Sequence, residues 1–173
     1  MGESKQIRVR LAIPSDIPYI AEIGCEAFSG LRPLECGMRW VEACFAAHPR
    51  MEYWVAEMGT ESTAAGYILW LEKGGFRKDA VLELEQIAVR KAMRGTGIGR
   101  ELVVQSLQGV KSRLQARGSE LSVIEITTGS EQRAVGFYRR TLGANPVATI
   151  PSLFRGDELV LLARPRLDQG KQV

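Results

Sequence analysis

The sequence predicts an α/β fold, in which a mixed sheet of about seven strands is flanked by about four helices. Short segments with alternating apolar residues and many β-branched side chains indicate strands. Other segments repeat apolar residues at helical spacing. A strand–helix–strand unit surrounds a glycine-rich loop, which implies a parallel strand pair with a right-handed crossover. The predicted order of elements is β-α-α-β-β-β-α-β-α-β-β.

The first part of the chain predicts one strand and two helices. Ser15 or Asp16 can cap the first helix with a side-chain oxygen, and Ser29-Gly30 ends it. His48-Pro49 ends the second helix, because the residue before a proline disfavours helical geometry. The predicted strand, first helix, loop and second helix lie at Ile7–Ile13, Ile17–Phe28, Leu31–Gly37 and Met38–Ala47.

The middle of the chain predicts three strands joined by short turns. Gly59–Ser62 turns the first hairpin, and Gly74-Gly75 forms a second turn. The first two strands are Glu52–Met58 and Ala64–Leu71. The third, Val81–Val89, is apolar enough to lie centrally in the sheet. Because side chains alternate along a strand, one of its faces carries Glu83, Glu85, Ile87 and Val89.

The last part of the chain predicts a long helix, a shorter helix and three strands. The long helix starts at the glycine-rich loop and ends at Arg117-Gly118. Gly129-Ser130 caps the shorter helix, whose apolar residues between Ala134 and Leu142 share one face. Gly143 ends that helix. The three strands are Leu121–Thr128, Val147–Ile150 and Glu158–Ala163.

Length and composition set limits on the class of protein. We expect a single domain over residues 1–167 and a short polar tail over residues 168–173. A net charge of +3 gives no reason to expect a nucleic-acid or membrane partner. Three cysteines without CxxC spacing argue against a disulfide framework or a metal site, and favour a cytoplasmic protein.

The loop Arg94-Gly95-Thr96-Gly97-Ile98-Gly99 is a predicted anion site. Glycines on alternate positions let backbone N–H groups approach a ligand, since no Cβ stands in the way. The helix that follows adds unpaired N–H donors and a partial positive charge at its N-terminus. Arg90, Lys91 and Arg100 add basic charge nearby. This combination predicts a site for a phosphate or pyrophosphate group.

Two motifs along the chain resemble, in sequence and in order, motifs of the GNAT superfamily of N-acetyltransferases. Arg94-x-x-Gly97-x-Gly99 is similar to the family's acyl-CoA loop, (Q/R)-x-x-G-x-(G/A). The helical segment Glu131-x-x-Ala134-x-x-Phe137-Tyr138-x-x-x-Leu142-Gly143 resembles the family's N-x-x-A-x-x-F-Y-x-x-x-L-G. The opening segment, Arg10–Asp16, also looks like the family's start. The resemblance implies an acyltransferase that moves an acetyl group from acetyl-CoA to an amine.

The resemblance also implies roles for particular residues. The backbone amides of Gly95, Thr96, Gly97, Ile98, Gly99 and Arg100 would hold the pyrophosphate of acetyl-CoA, with Arg94 near it. The backbone of Ile87, Ala88 and Val89 would pair with the pantetheine arm, and Tyr138 would protonate the leaving thiolate. The acceptor pocket would come from Phe28–Trp40 and Ile150–Asp157, and a homodimer is common in the family. One departure is Glu131, where the family usually has an asparagine that contacts the cofactor.

The chemistry itself asks for a base, because an ammonium group with a pKa of about 10.4 is not a nucleophile. Glu83 and Glu85 lie two apart on one strand face, so each carboxylate raises the pKa of the other toward neutrality. Glu85 is closer to the cofactor end and is the preferred base. A water chain without a single protein base stays open, and a core role for Tyr138 is the alternative to catalysis.

Two rival functions remain at this stage. The first is a non-catalytic acyl-CoA-binding or regulatory module on the same fold, which the unusual Glu131 would suit. The second is a nucleotide-binding protein that uses the glycine loop for ATP, although the chain lacks GxxxxGK[ST]. The preferred function is direct acetyl transfer in a ternary complex to a primary amine of a small molecule or a peptide.

Overall fold

The computed structural model describes residues 6–28, 33–59, 63–75, 77–154 and 156–165. Its strands and helices follow the predicted order, with short 3₁₀ turns at Pro14–Asp16 and Lys91–Met93. The elements are β1 (Ile7–Leu11), α1 (Ile17–Ala27), α2 (Leu34–Ala46), β2 (Met51–Met58), β3 (Ala64–Lys73), β4 (Asp79–Val89), α3 (Ile98–Ala116), β5 (Glu120–Gly129), α4 (Gln132–Leu142), β6 (Asn145–Ile150) and β7 (Glu158–Ala163).

The strands form one mixed sheet in the order β1-β2-β3-β4-β5-β7-β6. β4 is the middle strand of the seven, which confirms the predicted central position. β4 and β5 are parallel, whereas β1–β2, β5–β7 and β6–β7 are antiparallel. The parallel pair surrounds α3, as expected when a helix supplies the connection between parallel strands. The predicted mixed α/β class is therefore confirmed.

Several predicted boundaries were wrong. α2 begins at Leu34 and not at Met38, because Pro33 occupies its N-cap with φ −45° and orients the chain for a helix. β1 stops at Leu11, and a 3₁₀ turn starts at Pro14. The N-cap of α4 is Glu131, not Gly129-Ser130. The predicted helix end at Ser29-Gly30 and the tail at residues 168–173 lie outside the described residues.

Asp16 occupies the N-cap of α1 but makes no side-chain cap hydrogen bond. Its buried carboxylate instead accepts hydrogen bonds from Arg10 at 2.7 and 3.0 Å and from the Ile13 N–H at 2.8 Å. Burial alone would raise the pKa of Asp16, but these hydrogen bonds lower it overall. The expected capping role is thus replaced by an ion pair that ties β1 to the start of α1.

One compact unit comprises the described parts of residues 1–70 and 86–109. Its core packs α1 and α2 against the strands, and Ile20, Ile23, Val55, Tyr67 and Leu69 are among its buried side chains. Tyr53 lies between two other rings, stacked on Phe45 at 5.5 Å and edge-on to Tyr67 at 5.7 Å between ring centroids. This unit carries the glycine-rich loop and the end of β4.

A second compact unit comprises the described parts of residues 71–85 and 110–173. Ile124, Ile126 and Leu161 of β5 and β7 are fully buried in it. The buried carboxylate of Glu72 pairs with Arg113 at 3.5 Å and with Arg117, and these ion pairs anchor the end of α3 to β3. Within the described ranges, every helix is too short or too polar to span a bilayer.

Gly109 gives α3 the room that it needs beside β2. A Cβ placed on Gly109 would fall against the indole ring of Trp54, on three of its carbon atoms. Gly136 in α4 offers a contrast, because a Cβ there would meet only the guanidinium of the exposed Arg140, at 3.0 Å. The ring of Trp54 is held by the strand, whereas the end of Arg140 can move away.

We therefore expect Gly109→Ala to lower the free energy of unfolding by about 1–3 kcal/mol, because overpacking outweighs the gain in helix propensity. The matched variant Gly136→Ala should be neutral or stabilising by up to about 1 kcal/mol. Urea unfolding of both variants measures the difference. Equal stabilities of the two variants would show that Trp54 does not constrain α3.

Candidate functional site

The loop between β4 and α3 has a backbone that only glycine adopts readily. Gly95 has φ +82° and Gly97 has φ +92°, both in the left-handed region. A Cβ built on either residue would meet no atom within 4 Å. Residues 94–97 are all exposed. The outer side of the loop is therefore open, so that a ligand can approach its backbone.

Hydrogen bonds hold the loop and the preceding turn to the rest of the first unit. The guanidinium of Arg94 donates to the Val89 carbonyl at 3.2 Å, and Thr96 Oγ1 donates to the Met93 carbonyl at 2.7 Å. Arg90 donates to the Ala64 carbonyl at 3.0 Å, and the Lys91 N–H donates to the Glu26 carboxylate at 2.6 Å. These bonds fix the shape of the loop, and Arg94 contributes to that shape through its side chain.

The N-terminus of α3 faces the same loop. Its first backbone hydrogen bond runs from the Glu101 N–H to the Gly97 carbonyl at 3.1 Å, so the N–H groups just before Glu101 lack an intrahelical acceptor. Glu101 places a negative charge in the first turn, but its carboxylate pairs with Arg100 at 2.8 Å and accepts from Gln105 at 2.9 Å. The helix end therefore offers N–H donors with a partial positive charge to an anion.

Within the part of the chain that the structure describes, the strand that leads into the loop has a backbone edge without a strand partner. The register of β4 with β5 covers Asp79–Glu83 and ends there, while β5 pairs with β7 from Ile124 to Gly129. On the opposite edge, the Arg90 N–H still donates to the Ala65 carbonyl of β3 at 2.9 Å. Ile87 and Val89 thus keep backbone groups on the β5 side that can pair with an extended ligand, apart from the Val89 carbonyl, which accepts a hydrogen bond from Arg94.

A cavity of about 330 Å³ lies beside the same end of β4, and we name it the α1–α2 cavity. Its walls come from both helices and from two strand residues: Ile20, Ala21, Gly24, Cys36, Gly37, Trp40, Val41, Tyr67 and Gln86. The predicted acceptor segment, Phe28–Trp40, contributes Cys36, Gly37 and Trp40. The sequence interpretation missed the rest, although Gln86 was visible as a polar residue on the apolar face of β4.

Tyr67 and Gln86 form the polar part of the cavity wall. The Tyr67 hydroxyl donates to Gln86 Oε1 at 3.0 Å. Burial raises the pKa of Tyr67 well above its usual range, so that the phenol stays neutral. The cavity wall therefore has hydrogen-bonding groups at β3 and β4 but no ionised group among them.

Glu83 and Glu85 lie on β4 as predicted, but in different surroundings. The Glu83 carboxylate pairs with the Lys73 ammonium at 3.1 Å, and the same ammonium pairs with Glu125 at 2.9 Å. Desolvation and, second, the nearby Glu83 carboxylate raise the pKa of Glu85, whereas Lys73 lowers it. The Glu85 side chain is nevertheless exposed, so solvent limits this shift. The sequence gives no signal for Lys73, since a contact across three strands leaves no local pattern.

Tyr138 lies on α4 in the second unit and is 9% exposed. Its ring meets that of Phe137 edge-on, at 5.3 Å between centroids. Burial raises the pKa of Tyr138 to about 12, so the hydroxyl keeps its proton at neutral pH. Glu131, at the N-cap of α4, is exposed and makes no side-chain cap hydrogen bond.

The candidate residues fall into two groups. The loop and Ile87–Val89 belong to the first unit, whereas Glu83, Glu85 and Tyr138 belong to the second. β4 carries residues of both groups, because Glu85 and Ile87 lie two apart on it. Each group has its own chemistry: the first offers backbone donors for an anionic, extended ligand, and the second offers a carboxylate and a protonated phenol.

Solved structures of acetyltransferases share this fold at low sequence identity. A chimera of the spermidine N-acetyltransferase SpeG from Vibrio cholerae with hSSAT has a TM-score of 0.73 at 16% identity, and the match covers 96% of this chain and 99% of that one. The ribosomal-protein-alanine N-acetyltransferase from Brucella melitensis has a TM-score of 0.67 at 22% identity, with 91% and 99% covered. A chain of the NatC complex bound to Gag peptide and CoA has a TM-score of 0.70 at 14% identity, with 92% and 98% covered.

The sequence itself also matches a family. A sequence model of the acetyltransferase (GNAT) family matches residues 18–144. No curated protein gives a significant match to the chain. Enzymes of the matched family use acetyl-CoA and act on amines. Because this match covers most of the chain and the fold agrees with it, the protein belongs to the GNAT acetyltransferase family and is an N-acetyltransferase.

Proposed function

We propose that this enzyme moves the acetyl group of acetyl-CoA to a primary amine of a small molecule or a peptide, by direct transfer in a ternary complex. The observation that carries the proposal is the juxtaposition of the open glycine loop with a free strand edge at Ile87–Val89. A ligand with an anionic pyrophosphate and an extended amide-bearing arm suits these two features together.

The residues of the first unit fit acetyl-CoA. The backbone N–H groups of Gly95–Arg100 would bind its pyrophosphate, since the loop is open and α3 starts there. Arg94 would act mainly by shaping the loop through its bond to Val89. The backbone of Ile87–Val89 would align the pantetheine arm. When bound, acetyl-CoA supplies a thioester whose carbonyl an amine can attack.

Glu85 is the proposed base, acting on the amine through a water molecule. The Lys73 ammonium forms an ion pair with the Glu83 carboxylate at 3.1 Å, so Glu83 already has a partner within the protein. Desolvation raises the pKa of Glu85 and its side chain is exposed, so its carboxylate is open to a water molecule that can carry a proton from the amine. We therefore assign Glu83 to the ion pair with Lys73 and Glu85 to proton removal.

Tyr138 is the proposed hydrogen-bond donor to the leaving sulfur. Its pKa of about 12 keeps the hydroxyl protonated, but the pKa of a thiol is about 8.5. Complete proton transfer from Tyr138 to a thiolate is therefore uphill. We infer that Tyr138 stabilises the thiolate mainly by donating a hydrogen bond, while the proton taken from the amine leaves through Glu85.

Release of free thiol from acetyl-CoA in the presence of a panel of amines and peptides tests the proposal. We expect acetyl-CoA to bind in calorimetry and at least one amine to give thiol release with an equal amount of acetylated product. Binding without any release would favour the non-catalytic acyl-CoA-binding module. Binding of ATP in competition with acetyl-CoA would favour a nucleotide site.

Gly97→Ala should weaken acetyl-CoA binding by at least about tenfold, because φ +92° is strained for alanine and the loop must shift. Gly118→Ala is the matched control: Gly118 has φ +79°, is also open on its Cβ side, and lies beyond the other end of α3. The two variants should lose similar stability. Calorimetry that finds equal affinity in both variants would contradict the assignment of the loop.

The pH dependence of kcat at saturating substrates should fall on the acid side as Glu85 becomes protonated. Lys73 lowers the pKa of Glu85, so Lys73→Met should move this acid limb to higher pH. Glu85→Gln should remove the limb and lower kcat by about 100-fold or more. Lys78→Met, at an exposed lysine, is the control and should leave the limb in place. An acid limb that stays unchanged in Glu85→Gln would rule out Glu85 as the base.

Tyr138→Phe should lower kcat by about 10- to 100-fold and leave the affinity for acetyl-CoA nearly unchanged, because it removes one hydrogen bond to a developing charge. Tyr19→Phe, at a partly buried tyrosine of α1, is the control for removal of a hydroxyl. Steady-state kinetics with both substrates varied separates the two effects. If Tyr138→Phe retains full kcat, the tyrosine has a packing role only.

A further inference from the structure

The α1–α2 cavity has mainly apolar walls. Ile20, Ala21 and Val41 are buried side chains of the two helices, and Trp40 adds an indole that is 57% exposed. The volume of about 330 Å³ lies in the range of small-molecule sites. An apolar group that entered this space would leave water and contact several side chains at once.

Among the described residues, the cavity wall offers no carboxylate to a positively charged group. Its polar side chains are the neutral Tyr67 phenol, the Gln86 amide and the Cys36 thiol. The acidic residues on the neighbouring part of α1 are engaged elsewhere: Glu22 pairs with Arg90 at 3.2 Å, and Glu26 accepts from the Lys91 N–H at 2.6 Å. An ammonium inside the cavity would therefore lose its hydration without gaining a counter-charge.

The position of the cavity links it to the transfer step. Gln86 lines the cavity and directly precedes Ile87–Val89, the strand edge assigned to the pantetheine arm. Its amide is held in place by the hydrogen bond from Tyr67. A group that fills the cavity would thus place an attached amine at the end of β4, where the acetyl group is expected.

We propose that the α1–α2 cavity binds an uncharged apolar group next to the reactive amine, so that the enzyme selects amines with an aliphatic or aromatic substituent and rejects polyamines. This inference rests on the proposed function and specifies its acceptor. An apolar group beside a primary amine occurs in small arylalkylamines and in peptides with an apolar N-terminal residue. Because the described lining residues include no charged side chain, a second ammonium group is disfavoured in both kinds of acceptor, the small amine and the peptide.

Thiol release with four acceptors tests the selectivity. Phenethylamine and a peptide with N-terminal leucine are the apolar acceptors, and spermidine and a peptide with N-terminal aspartate are their charged counterparts. We expect kcat/KM to be at least about tenfold higher for the apolar member of one pair, and the better pair identifies the source. Equal or higher kcat/KM for both charged acceptors would overturn the inference while leaving the proposed function intact.

Two substitutions on α2 locate the selectivity in the cavity. Trp40→Ala should raise KM for the apolar acceptors by about tenfold, whereas Leu34→Ala, at an exposed residue of the same helix outside the cavity, should not. Cys36→Asp should improve spermidine relative to the apolar amines, whereas Leu34→Asp should not. The inference fails if the variants at Trp40 and Cys36 behave like those at Leu34.

A binding measurement tests the apolar selectivity of the cavity even if no acceptor is acetylated. Cys36 is exposed and lines the cavity, so an alkylating reagent can label it, and mass spectrometry can follow that cysteine alone. Leucinamide or phenethylamine should slow the labelling severalfold, and spermidine at the same concentration should not. If no amine is acetylated, the proposed function fails, and this protection still supports or overturns the apolar cavity.

Discussion

The parallel pairing of β4 with β5 ends at Glu83, and the proposed chemistry of the chain depends on that separation. Up to this point β4 is a central strand of the sheet, and its Ala80 and Leu82 are buried in the core. Beyond Glu83, the described register no longer joins β4 to β5, and the β5 side of Ile87 and Val89 keeps backbone groups other than the Val89 carbonyl that could pair with a ligand. A strand that is part of the fold at one end thus forms part of the proposed binding site at the other.

Charged and polar groups along this strand separate the proposed binding of an anion from the proposed removal of a proton. At its end, the glycine loop and the N-terminus of α3 offer N–H donors to an anion, and Arg100 neutralises the one carboxylate in the first turn of the helix. Further back, Lys73 joins Glu83 to Glu125 and leaves Glu85 exposed with a raised pKa. In the proposed mechanism, cofactor binding and proton removal therefore involve different groups of one continuous strand.

The sequence predicted the element order and the loop, because both depend on local patterns. Alternation, helical spacing and the glycines before α3 act within a few residues of one another. The start of α2 was missed because Pro33 sets its geometry without apolar periodicity. The sequence could not predict the ion pairs of Lys73 with Glu83 and Glu125, since they join residues on three different strands. It could not predict the place of Tyr67 in the α1–α2 cavity for the same reason, because the cavity wall combines residues that are far apart in the chain. Asp16 was expected to cap a helix, but an ion pair with Arg10 engages its carboxylate.

The central claim is that backbone amides of the loop and of the end of β4 hold acetyl-CoA. Hydrogen–deuterium exchange, followed by mass spectrometry with and without acetyl-CoA, tests it most directly. We predict slower exchange in peptides that cover Ile87–Val89 and Gly95–Arg100, and unchanged exchange around Gly118 at the other end of α3. If acetyl-CoA binds and neither of the first two segments slows its exchange, the cofactor is held elsewhere and the account is contradicted.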